Sequence, residues 1–247
     1  MFTAISKRGF RAVIAGEKSQ FNRMEAIYQG YFSAANQRKI ICVGFNYHPE
    51  KAGGVEIPTE PVWFDKPLTS LLLDGETLIL QPGYKQINHE VEVGIVIGMQ
   101  GRNIKPENAL LHVAGYFIGL DFTNKIMQLD NLNKGADWCL AKGSNGFAGV
   151  SNFVHKSAVP DYKDICFKLE INGEIRTQGS TDRQVFDVPA IIADISKYQE
   201  LREGDLIFTG TPNSAAVKDG DHLVCTMKNC ADLTKDIVTL DIKVKRL

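Results

Sequence analysis

Near the end of the chain Val238, Leu240, Ile242 and Val244 are apolar, and Thr239, Asp241, Lys243 and Lys245 between them are polar. Period-two alternation marks a strand with one face buried. Other segments read the same way or as fully buried strands. Lys39 to Gly44 (KIICVG) is a short buried strand leading into a loop, VWFDKP and SLLLDGETLIL supply two more strand candidates, and AGYFIGLD is a further apolar run. Asn88 to Gly98, NHEVEVGIVIG, carries the β-branched residues Val91, Val93, Ile95, Val96 and Ile97, which strands favour. In CFKLEINGEIRTQG, Asn172-Gly173 lies between two strand-like runs, the chemistry of a tight hairpin. REGDLIFTGTP reads as a turn and a buried strand ending in a polar loop.

Helical signals are fewer. Asp187 with Pro189 opens a helix whose Ile191, Ile192 and Ile195 share a face, and a short helix is expected near Pro106–His112. Residues 24–38 are weakly helical, and 48–61 concentrate Pro and Gly as a loop or lid. From 122 to 151 the chain is polar and Gly-rich without clear periodicity. Strands therefore dominate, with no regular strand–helix alternation. The expected fold is α+β, mainly β, in one catalytic domain, 39–247, preceded by an N-terminal arm, 1–38.

Composition narrows the class. The 247 residues are 44% hydrophobic with a net charge of −1, and no basic tract with interleaved aromatics suggests a nucleic-acid partner. No apolar run approaches the ~20 residues of a membrane span, so a soluble protein is expected. The five cysteines include no C-x-x-C pair and read as reduced thiols in an intracellular compartment. The first 23 residues carry five basic groups and no acid before Glu17. That composition suits a mitochondrial transit peptide or an ordinary arm, so the expectation is cytoplasm or mitochondrial matrix.

The candidate chemistry is carboxylate chemistry. On a strand Glu90 and Glu92 share one face while Val91 and Val93 take the other, with His89 turned away from both glutamates. A third carboxylate, Asp121, ends the apolar run YFIGL. Carboxylate-only sites suit Mg2+ or Mn2+, although two glutamates also occupy the wet face of many antiparallel sheets. Lys66, Lys125 and Lys142 lie near loops, and Thr209-Gly210-Thr211-Pro212 follows a buried strand where a hydroxyl and exposed amides could hold a substrate carboxylate. That tetrapeptide is equally an ordinary strand-ending turn.

Taken in order, VGFNY, FDKP, NHEVEVG, GLDFTNKIMQ, DWCLAKG, INGEIRTQG, REGDLIFTGTP and DGD resemble the fumarylacetoacetate hydrolase superfamily over roughly residues 39 to 247. The resemblance is strongest to its small acylpyruvate hydrolase and oxaloacetate decarboxylase branch. It implies a mixed β-roll and a homodimer. It also implies an Mg2+- or Mn2+-dependent enzyme acting on 2-oxo acids through a metal-stabilised enolate, with C–C bond cleavage as the leading reaction and keto–enol tautomerisation as the alternative. Glu90, Glu92 and Asp121 would be the metal ligands and Lys142 the active-site lysine. Thr211, Gln128, Lys66, Lys125 and Gly210 would meet the substrate.

Two departures stand out. Phe45 occupies the position before Asn46-Tyr47 where relatives usually have Arg, a planar donor for anions. Counting from Tyr47, the positions of the water-activating His and Glu of hydrolytic relatives fall on Glu50 and Gly53. His48 and Glu50 are the remaining candidates for that role. A member that keeps the fold and has lost turnover is the competing class.

Overall fold

The computed structural model describes residues 38–48 and 57–247. In chain order its strands begin with β1 (Ile40–Gly44), β2 (Val62–Lys66), β3 (Leu71–Leu73), β4 (Thr77–Leu80), β5 (Ile87–His89), β6 (Val91–Ile97), β7 (Val113–Asp121) and β8 (Thr123–Asn124). They continue with β9 (Ala148–Val150), β10 (Val154–His155), β11 (Ile165–Ile171), β12 (Glu174–Ser180), β13 (Leu206–Phe208), β14 (Ala215–Ala216), β15 (His222–Asn229) and β16 (Asp232–Arg246). The α-helices are α1 (Lys125–Asn133), α2 (Cys139–Lys142) and α3 (Val188–Tyr198).

Three sheets result. The largest runs β2-β1-β13-β6-β7-β9-β3, with β10 also paired to β7. A second runs β12-β11-β15-β16-β4, and the small third runs β14-β5-β8. β11, β15 and β16 pack on β6 and β7, and the apolar core lies between the two large sheets. Leu240, Ile242 and Val244 point into it, as the period-two pattern requires. Fully burying each such side chain is worth about 1.5–3 kcal/mol. The fold is the mainly β mixed roll expected from the sequence.

Local chemistry accounts for the other elements. Asn172 and Gly173 both take positive φ, 54° and 82°, the requirement of the two-residue turn joining β11 to β12. Asp187 caps α3 by accepting from the Ala190 N–H at 3.1 Å, and Ile191, Ile192 and Ile195 are buried beneath it. The expected short helix at Pro106–His112 is a 3-10 helix.

Three expectations change. The Asn88–Gly98 strand is two strands, β5 and β6, which belong to different sheets and meet at Glu90. The segment without periodicity holds α1 and α2. Asn124 caps α1 by accepting from the Met127 N–H, and most of α1 is not buried, so no apolar stripe marked it in sequence. Nor are the cysteines all free thiols. Cys166 in β11 and Cys230 in the β15–β16 turn form a disulfide, with Cα atoms 4.9 Å apart. The partners are 64 positions apart, so only the strand pairing brings them together. Cys42 and Cys225 are buried thiols and Cys139 is an exposed one.

The chain from Lys39 to Leu247 is one compact unit. The expected arm and the weak helix at 24–38 fall, apart from Arg38, outside the described residues, as does most of the expected lid at 48–61. Among the described residues no helix is long and apolar enough to cross a membrane.

Candidate active site

Antiparallel pairing of β6 with β7 sets Val91 opposite Leu120 and Glu92 opposite Gly119. Continuing that register brings Glu90 beside Asp121, and the Asp121 N–H donates to the Glu90 carbonyl at 2.9 Å. Glu90, Glu92 and Asp121 each offer one carboxylate oxygen within 4.8 Å of the others. Three acids converge because the β6–β7 ladder ends there.

Two lysines face this cluster. Lys142, at the end of α2, donates to Glu90 Oε2 and to Asp121 Oδ2, both at 2.7 Å. Burial alone would lower the Lys142 pKa, but Asp121 and Glu90 more than offset it, so the ammonium is held protonated. Lys66, at the end of β2, pairs with Asp121 Oδ1 at 2.5 Å and donates to the carbonyls of Lys142 (2.6 Å), Phe147 (2.7 Å) and Phe122 (3.2 Å). It is buried and does not line the cavity above the carboxylates. The substrate contact expected of Lys66 is therefore replaced by a supporting role. It ties the end of α2 and the residues just before β8 and β9 to Asp121.

Among the described residues Glu92 has no such cation. It accepts the Gly210 N–H at 2.6 Å, and burial together with Asp121 and Glu90 pushes its carboxyl well above the usual range. Gly210 was expected to meet substrate; its amide instead serves Glu92. Its φ of +98° and a built Cβ only 2.8 Å from Asn46 Cβ admit glycine alone. Asn46, buried in the loop after β1, fixes this approach by donating to the Thr209 and Phe186 carbonyls at 2.8 and 3.0 Å. Thr209 is anchored in turn through its hydroxyl to the Val93 carbonyl.

Three carboxylates face only two lysines, so Glu92, the one without a lysine, ionises there only with a further cation beside it. A divalent cation fits that deficit, and the all-oxygen donor set is the one Mg2+ and Mn2+ take.

Above the carboxylates lies a cavity of about 520 Å3 whose wall includes Glu90, Asp121, Lys142, Lys125, Gln128 and Thr211. Six of the expected site residues thus line one cavity, with the buried Glu92 beside Glu90 and Asp121. Lys125 donates to Gln128 Oε1 at 2.9 Å, and the Thr211 hydroxyl donates to the Asn213 carbonyl at 2.9 Å. His48 is exposed and is not part of this wall, so the water-activating role expected of it has no support from its placement. Glu50 lies outside the described residues. Sequence reasoning overlooked Tyr47 and Trp138 on the wall and Asn46 behind it, while Thr209, named there with its tetrapeptide, turns its hydroxyl to the Val93 carbonyl. Only the position of Asn46 and Tyr47 in VGFNY could have pointed to those two.

His89 is buried, and neither ring nitrogen has a hydrogen-bond partner among the described residues. Burial, and less so Arg176, lowers its pKa from 6.5 to about 4, so the ring is neutral at pH 7.

A mainly β roll with a buried three-carboxylate cluster and a lysine over an open cavity defines the class of molecule. The family model for fumarylacetoacetate (FAA) hydrolase C-terminal matches residues 39–238, and the chain belongs to this family. Its relatives are named as enzymes. Oxaloacetate decarboxylase, mitochondrial, of Dictyostelium discoideum is 39% identical over 81% of this chain and 94% of its own. Oxaloacetate tautomerase FAHD1, mitochondrial, of Mus musculus is 36% identical over 85% and 92%. Among solved structures, fumarylpyruvate hydrolase from Pseudomonas aeruginosa in complex with Mn2+ and pyruvate superposes with a TM-score of 0.75 at 29% identity, over 85% of this chain and 90% of that one. The 5-carboxymethyl-2-hydroxymuconate delta-isomerase from Mycobacterium smegmatis gives 0.74 at 30%, over 85% and 79%.

Proposed function

We propose that this chain is a divalent-metal-dependent enzyme acting on 2-oxo acids at the carbon next to the keto group, by cleavage of the C–C bond there. The observation that carries the reading is the buried Glu90–Glu92–Asp121 cluster whose Glu92 lacks a cationic partner, set beneath a cavity that also holds Lys142 and Thr211. These three residues would hold Mg2+ or Mn2+, which when bound polarises a keto oxygen and stabilises negative charge developing on it.

The chain's own groups supply the rest. Lys142 stays protonated between Glu90 and Asp121, so its Nζ keeps positive charge beside the place where an enolate oxygen forms. Lys125 and Gln128 on α1 and the Thr211 hydroxyl across from them are donors for the substrate carboxylate. Their convergence fixes the orientation of the bond to be broken. The apolar wall and Lys66 beneath it limit water around the acids.

A second reading, keto–enol tautomerisation of oxaloacetate or a related acid, is favoured by the placement of His48. Hydrolysis needs a base to deprotonate water beside the carbonyl. Among the described residues, the wall carries no imidazole and no carboxylate beyond the ligand set. Decarboxylation and tautomerisation make smaller demands on such a base. The names of the relatives also support these two reactions.

The test is turnover of oxaloacetate and acetylpyruvate followed by NMR with Mg2+, with Mn2+ and after EDTA. The proposal expects loss of all activity with EDTA, and oxaloacetate chemistry at least as fast as acetylpyruvate cleavage. Undiminished activity in EDTA would end it. The reading includes a homodimer, measurable by light scattering, and residence in the cytoplasm or mitochondrial matrix. The matrix is supported by the basic N-terminal composition and by the mitochondrial names of relatives.

A further inference from the structure

Helix α1 gives the cavity a direction. It presents Lys125, Gln128, Leu129 and Leu132 to the wall, positions i, i+3, i+4 and i+7, which share one face. At 1.5 Å per residue Leu132 lies roughly 10 Å beyond Lys125 along the helix. The face therefore changes from a cation and an amide, four to seven residues past Asp121, to two leucines at its far end.

The opposite wall changes in the same sense. Trp138 stands edge-on to Phe45, with ring centroids 5.8 Å apart, and to Phe64 at 5.4 Å. Phe45, Ile57, Leu129 and Leu132 are 52%, 42%, 45% and 49% exposed, and all four line this one concavity. Single exposed apolar side chains are ordinary, but a convergent set around a cavity marks a binding surface.

Positive charge is confined to the other end. Among the described residues the wall carries two cations, Lys125 and Lys142. Lys142 is held by Glu90 and Asp121, and Lys125 lies at the first turn of α1. No described cation faces Leu132, Phe45 and Trp138. The cavity of about 520 Å3 is also far larger than a three- or four-carbon acid fills.

We propose that, among 2-oxo acids long enough to reach this end, the site selects those with an alkyl or aryl arm, seated between Leu129 and Leu132 on one side and Phe45 and Trp138 on the other, over those ending in a second carboxylate; four-carbon oxaloacetate stops short of it, beside the carboxylates and Lys142. This rests on the 2-oxo acid reading of the same site. A carboxylate at the far end would leave water without gaining a partner. An apolar arm gains from burial, roughly three- to fourfold in affinity for each methylene.

The experiment is calorimetric binding of oxalate, pyruvate, 2-oxobutanoate, 2-oxohexanoate and 2-oxoglutarate to the full chain saturated with Mg2+. Affinity is expected to rise about three- to fourfold per methylene from pyruvate to 2-oxohexanoate. 2-Oxohexanoate is expected to bind at least about tenfold more tightly than 2-oxoglutarate, which matches it in length. Leu132→Lys puts a cation on the apolar wall at the last turn of a helix, where lysine is well tolerated, and should reverse that ratio. Phe45→Arg is the second variant and should act in the same direction. Oxalate binding with 2-oxoglutarate equal to or tighter than 2-oxohexanoate in the wild type overturns the inference and leaves the 2-oxo acid reading standing. Unchanged ratios in both variants overturn the placement of the arm. Absence of oxalate binding overturns both readings together.

Discussion

The Gly210 N–H donates to Glu92 Oε2 at 2.6 Å, joining a strand-end loop to a carboxylate 118 positions earlier in the chain. Among the described residues that contact is the one hydrogen bond to the Glu92 carboxylate, and it shapes the first two predictions.

Glu92→Gln should remove metal binding while stabilising the metal-free protein. The substitution deletes the charge that burial, Asp121 and Glu90 all oppose. Because the bound form needs that carboxylate ionised, the wild type should release a proton on binding Mn2+ and bind it less tightly as pH falls. Titration of Mn2+ by calorimetry in two buffers checks both statements. Wild-type affinity in the variant would remove Glu92 from the ligand set.

Gly210→Ala should cost about 1–3 kcal/mol of stability, since a side chain must adopt φ +98° and meet Asn46 at 2.8 Å. Loss of the amide's aim at Glu92 should weaken Mn2+ binding as well. Urea unfolding and metal titration of the variant measure the two effects, and an unchanged unfolding midpoint would contradict the close approach.

Thr211→Val keeps the shape and removes the hydroxyl on the cavity wall. A hydrogen bond lost from a charged ligand should lower oxalate affinity by about 1.5–3 kcal/mol, with metal affinity unchanged. Equal oxalate inhibition of wild type and variant would count against a carboxylate contact there.

Lys66→Met and Lys125→Met should separate support from binding. The first strips Asp121 of a buried partner and removes one donor from each of three carbonyls, so about 3–5 kcal/mol of stability should go. The second removes a cation from the cavity wall and should lower oxalate affinity while unfolding as wild type. The reverse pattern in denaturant melts and oxalate titrations would restore Lys66 to the substrate.

His89 makes the protein sensitive to acid. Its folded pKa, about 4, lies below the unfolded value of 6.5, so the unfolded chain takes up the proton first. Stability is fully present above pH 6.5 and falls by about 3 kcal/mol as pH drops from 6.5 to 4. His89→Phe should remove that part of the slope, so the difference from wild type in urea melts should shift in the variant's favour as pH falls. A pH-independent difference would mean that the ring finds a partner in the folded state.

Much of this molecule follows from short-range pattern. The alternation at Val238–Val244 fixes which face of β16 is buried, because side chains on a strand alternate whatever the strand pairs with. Asn172-Gly173 and Asp187 act within a few residues of themselves, so the hairpin and the α3 cap were legible. The identities of Glu90, Glu92 and Asp121 as a set came from ordered motifs. Their convergence within 4.8 Å came from the β6–β7 register. Long-range contacts carried the rest. Whether Lys66 and Gly210 serve substrate or the carboxylates depended on atoms 55 to 118 positions away, which no local pattern encodes. The Cys166–Cys230 bond required β11 to lie beside β15, and the apolar end of the cavity required α1, whose half-wet surface has no periodic signal, to face Phe45 and Trp138. Sequence determines what each segment can bury or donate, and only the folded chain decides which partner receives it, because partners are chosen by proximity in space.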